Sequence, residues 1–120
     1  MERNEFEKLV AEALKSLPPE FQKRLNNVAV VIEDMPTWEQ VRKLHLPWGT
    51  TLYGFYEGIP QTRRGVGYTF VPPDKITIFQ RPIEFFHRAP ESIKNQVRKT
   101  VLHEIGHHFG LSESDLRKKD

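Results

Sequence analysis

No cysteine occurs in these 120 residues. Disulfides, iron–sulfur clusters, cysteine-based zinc fingers and thiol nucleophiles are excluded together. No apolar run approaches the roughly 18 residues of a membrane-spanning helix, so no span is expected. Excess charge of one sign is lacking as well. Lys and Arg number 18 against 16 Asp and Glu, a formal charge of +2, which gives no electrostatic reason to expect nucleic acid. The first residues, MERNEFEKLV, carry charge where a signal peptide needs an apolar stretch, and the expected location is a reducing cytoplasm. Neither internal repeats nor low-complexity segments are visible, and the length suits one domain spanning 1–120. Histidine is the distinctive residue: there are five, and three of them are His103, His107 and His108.

Along the chain, Phe6, Leu9, Val10, Ala13, Leu14 and Leu17 recur at helical spacing and predict an amphipathic helix over 5–17, with Asn4 as N-cap. Pro18-Pro19 ends it, and Pro19 can open a short helix over Glu20 to Leu25. The β-branched run Val28 to Ile32 predicts a strand covered on both faces. A short helix is expected from Trp38 to Leu44, then strands at about 52–56 and 66–71, and another over Lys75 to Gln80 closed by Pro82. Ile83 to His87 reads as a helical turn. The best-defined element is a helix over about 90–109, with Pro90 and Glu91 in its first turn and Gly110 suited to the left-handed position after it.

Projected at 100° per residue from His103, the apolar Val97, Val101, Leu102, Ile105 and Phe109 of that last helix span roughly 120° to 260°. His103, His107 and Glu104 fall at about 0°, 40° and 100° by the same geometry. Two imidazoles at i and i+4 can reach one metal ion. An acid next to the first is placed to take a proton from water there rather than to ligate. The third ligand must come from outside the helix. Gly110 permits a sharp reversal, and Glu113 can fold back onto the metal, with Asp115 as the competitor. A chance HExxH arises in roughly two of a hundred shuffles of this composition, but one extended by Gly110 and an acid at 113 in on the order of one in ten thousand. Coincidence on a solvated helix face is therefore the weaker reading.

The run His103-Glu104-Ile105-Gly106-His107-His108-Phe109-Gly110-Leu111-Ser112-Glu113 resembles the extended zinc signature of the zincin metallopeptidases, HExxHxxGxx followed by His or Asp. More narrowly, the chain resembles the small bacterial minimal zincin family over about residues 45–116. Leu52-Tyr53-Gly54, Gly58-Ile59-Pro60, Pro73 to Ile78 and Arg81-Pro82-Ile83 carry that likeness beside the motif. The resemblance implies an α+β fold, a small twisted mixed sheet of about three to five strands packed against helices, with the active-site helix near the C-terminus. It implies a zinc-dependent metallopeptidase binding one Zn2+ through His103, His107 and Glu113. Glu104 would be the catalytic general base and a peptide or protein the substrate. Glu113 departs from the usual His or Asp. Only Met1 and Met35 exist, so no methionine turn follows the site, and no Tyr or His follows Glu113. A side chain stabilising the oxyanion must then come from upstream: Tyr53, Tyr56, Tyr68 or His87.

The rival class is a catalytically weak or inactive metal- or peptide-binding domain of the same fold. A nucleic-acid adaptor is a third reading, but no aromatic–basic motif supports it, and no membrane partner is expected. His108, at about 140°, falls in the apolar arc and reads as a packed histidine with one backbone partner. His45 and His87 read as isolated histidines without a role. The alternating Tyr53, Phe55, Tyr56, Tyr68 and Phe70 read as sheet packing, with 66–71 as the edge favoured for pairing with a peptide. Arg63-Arg64, Lys94, Arg98-Lys99 and Arg117-Lys118-Lys119 read as solubility charges.

Overall fold

The computed structural model describes residues 1–45, 52–58, 73–112 and 114–116. The strand expected at 66–71 lies outside them, as do Tyr68, Phe70, Arg63-Arg64 and Arg117 to Lys119.

Helix α1, Arg3–Lys15, buries Phe6, Val10 and Ala13, one stripe at three–four spacing. It starts two residues before the expected point, and Asn4 lies inside it rather than capping it. Glu2 is the N-cap, with no side-chain cap bond. Tertiary anchoring replaces the cap: Arg3 pairs with Asp34 and donates to Gln80 Oε1 at 2.6 Å and to the Ile32 carbonyl at 3.0 Å. The helix stops at Ser16, whose hydroxyl donates to the Ala13 carbonyl at 2.7 Å. Leu17 is buried just beyond the end. Pro19 opens α2, Pro19–Leu25, which buries Phe21.

Among the described residues, strands β1 (Val28–Glu33), β2 (Gly54–Glu57) and β3 (Asp74–Phe79) form a mixed three-stranded sheet in the order β1-β3-β2. β1 runs parallel to β3 with Val28 opposite Asp74 and Glu33 opposite Phe79. β2 runs antiparallel to β3, from Gly54 opposite Ile78 to Glu57 opposite Lys75. The expected α+β class is observed. The roles of two strands are exchanged: every residue of β1 is only half-buried because it lies at the edge of the described sheet, whereas Ile76 to Phe79 of β3 are buried on both faces.

Between β1 and β3 lies α3, Trp38–Lys43, started by a reciprocal cap: Gln40 N–H donates to Thr37 Oγ1 at 3.1 Å and Thr37 N–H to Gln40 Oε1 at 2.7 Å. β3 feeds directly into α4, Gln80–Phe86. Pro82 does not close the strand but sits in the first turn of this helix, where its missing N–H costs nothing. The chain then enters α5, Pro90–His108. Its buried Ile93, Val97, Val101, Leu102 and Ile105 complete a core with α1, Ile76, Ile78, Ile83 and Leu116. No helix among the described residues is long and apolar enough to cross a membrane.

Candidate active site

The core face of α5 leaves its other face towards the start of β2. Between them lies a cleft of about 340 Å3, walled by Leu52, Tyr53 and Gly54 on the strand side and by Gln96, Lys99, Thr100, His103, Glu104 and His107 on the helix side. At 100° per residue those helix residues occupy an arc of about −40° to 100°. The predicted chemical face is thus the face that meets the cleft. Thr100 accepts from Gln96 Nε2 at 3.1 Å and donates to the Gln96 carbonyl at 2.8 Å, which fixes the amide at the cleft wall.

His103 is half-buried and His107 exposed, with ring centroids 6.0 Å apart at 57°. Two imidazoles sharing one tetrahedral zinc place their centroids about 5 Å apart, close to the observed spacing. The pair is in the last turns of α5, where the helix dipole favours a cation. Glu104 lines the same cleft, and burial raises its carboxyl pKa, opposed by the charge of His107.

Past His108 the chain reverses in a Schellman motif. Gly110, at φ +80°, donates to the His107 carbonyl at 3.2 Å, and Leu111 donates to the Gly106 carbonyl at 2.8 Å. The left-handed conformation is what glycine permits there. A second cap then forms: Asp115 N–H donates to Ser112 Oγ at 3.2 Å, and Asp115 Oδ2 accepts from Ser112 N–H at 3.2 Å and from Ser112 Oγ at 2.9 Å. It returns Leu116 onto α5 directly against Gly106. The candidate ligand Glu113 lies outside the described residues. Among the described residues no group of three or more His, Cys, Asp or Glu could hold a metal ion. Its competitor Asp115 has a role in this cap. The two imidazoles on one helix face are donors of the kind that catalytic zinc sites use.

Two expectations about the end of α5 need correction. His108 is not packed in the core: it is exposed and stacked on Tyr56 at 4.1 Å between centroids. Phe109 is 43% exposed, with the Arg24 guanidinium 4.0 Å from its ring centre. His108 is the last residue of α5 and Phe109 its C-cap, beyond the part of the apolar face that the core covers. Of the upstream aromatic candidates, Tyr53 lines the cleft. Tyr56 donates to Asp74 Oδ2 at 2.6 Å, and His87 Nδ1 sits 2.6 Å from Ser92 Oγ; neither lines it, nor does His45. Gln96, Lys99, Thr100 and Leu52 were not anticipated as site residues. The three on α5 share the projected face of His103, and that was the available signal. Leu52 is brought in by strand pairing alone.

A family model described as zincin-like metallopeptidase matches residues 25–120, four-fifths of the chain. A search of curated proteins finds no match.

Proposed function

This chain belongs to the zincin-like metallopeptidase family, and from that membership we propose that it hydrolyses peptide bonds, with one Zn2+ held by His103, His107 and Glu113 and with Glu104 as general base. The bound ion would supply Lewis acidity, polarising a carbonyl and acidifying water near neutral pH. Glu104, at the cleft wall, takes a proton from that water on its carboxylate and passes it to the leaving amine. Tyr53 lines the cleft, and in this reading its hydroxyl donates to the developing oxyanion. Gln96, Lys99 and Thr100 extend the same wall and orient the substrate.

The observation that carries the reading is the convergence of both imidazoles and the intervening acid on one cleft large enough for a peptide segment. A peptide-library digest with zinc-loaded wild type and Glu104→Gln tests it. The proposal predicts cleavage that the variant loses by at least about a hundredfold. Tight zinc binding without any cleavage supports the binding-domain reading instead, and cleavage that survives Glu104→Gln intact overturns the assigned base.

A further inference from the structure

Met35, Phe85 and Phe86 are 55%, 72% and 58% exposed. Together with Pro36 and Leu52 they line a groove of about 400 Å3 whose one charged wall, among the described residues, is Arg81. The two phenylalanines end α4 as neighbours, their rings edge to face at 4.9 Å. Large apolar side chains gathered in one exposed hollow mark a binding surface.

This groove is continuous with the cleft. Leu52 lines both. Tyr53, on the cleft wall, meets Phe86 edge to face at 6.5 Å between centroids. An extended peptide advances about 3.3–3.6 Å per residue and points successive side chains to opposite sides. A residue next to the bond held in the cleft can therefore send its side chain past Leu52.

We propose that this groove selects the substrate: it takes a bulky apolar side chain, phenylalanine, leucine or methionine, from a peptide residue flanking the scissile bond, and Arg81 in its wall disfavours lysine and arginine there. The inference rests on the peptidase reading above and names its substrate class. Continuity with the cleft favours a peptide substrate over a second copy of this chain as the occupant. A like charge in the wall of a pocket rejects cationic side chains without adding affinity for the correct one.

The test compares zinc-loaded wild type with Phe85→Ser, a change at a solvent-facing ring that leaves the core intact. Two peptides differing only in phenylalanine or alanine beside the scissile bond are used. Wild type is expected to prefer the phenylalanine peptide by about tenfold or more in kcat/KM, and Phe85→Ser to collapse that ratio towards unity. An equal ratio in the two proteins overturns the assignment. A binding arm makes the test independent of turnover: fluorescence anisotropy of the same labelled peptides on Glu104→Gln, with and without Phe85→Ser. If no peptide is cleaved the peptidase reading fails. The groove then stands on a phenylalanine preference in binding that Phe85→Ser removes, and falls if no such preference exists. A dimer in sedimentation that Phe85→Ser dissociates, with the peptide ratio unmoved, overturns the proposal in favour of self-association.

Discussion

Replacing Gly106 with alanine places a methyl carbon 2.3 Å from Leu116 Cδ2, 3.0 Å from Cδ1 and 3.1 Å from Cγ. Carbon atoms rest at about 3.5–4.0 Å, so the leucine must retreat by about 1 Å or more. It has little room to do so, because Leu116 is fully buried within the core cluster. Moving it means moving the capped turn built on Ser112 and Asp115. Overpacking of this kind costs about 1–3 kcal/mol. Alanine's better helix propensity returns about 1 kcal/mol. The net expectation is a loss of about 1 kcal/mol, a fall of about 4 °C in Tm. Calorimetry and guanidinium titration of Gly106→Ala, Leu116→Ala and the double variant decide the matter. Leu116→Ala alone should cost about 2–5 kcal/mol, and the added methyl should be tolerated once the leucine is gone. The double variant should therefore be more stable than the sum of the single changes predicts, by about 1 kcal/mol or more. Additivity within about 0.5 kcal/mol, or a net gain from Gly106→Ala, would refute this account of how the segment after α5 is held against the helix.

Thr77 Oγ1 is the buried side-chain polar atom among the described residues with no hydrogen-bond partner, so Thr77→Val should raise stability by about 1 kcal/mol in a denaturant titration. Asp115→Ala should cost about 1 kcal/mol by removing the cap on Ser112 while zinc content persists; Glu113→Ala should lose zinc with little change in the stability of the metal-free fold. Glu104→Gln should stabilise the metal-free protein at neutral pH. Burial raises the carboxyl pKa in the fold above its unfolded value, so the charge penalty is full above the folded pKa and absent below the unfolded one. The Tm advantage of the variant should disappear as pH falls through that window, and an advantage that persists unchanged in acid would contradict the burial argument.

The helices were legible where side-chain periodicity and proline agree. α1, α2 and α5 appear within a few residues of expectation, because Pro19 and Pro90 mark starts that no partner is needed to define. Three of the expected strands appear among the described residues, but their order was not legible. Val28 to Ile32 reads as the more deeply covered strand, yet Asp74 to Phe79 is central, since the order of strands depends on pairing between segments more than forty residues apart. Buried Thr77, with its orphaned hydroxyl, makes the central strand look amphipathic. Around the site, a single-helix projection was enough to gather His103, Glu104 and His107 on one face. It could not supply Leu52 and Tyr53, which arrive through β2, or the contact between Gly106 and Leu116, which exists only after the chain has turned back.

The most direct test of the paired-imidazole site is the zinc content of the purified protein, measured by elemental analysis beside His103→Ala and His107→Ala after dialysis against buffered micromolar zinc. The account predicts one equivalent of zinc per chain in the wild type and its loss in each variant, with the fold retained by circular dichroism. A wild type that takes up no zinc, or histidine variants that keep a full equivalent, would contradict it.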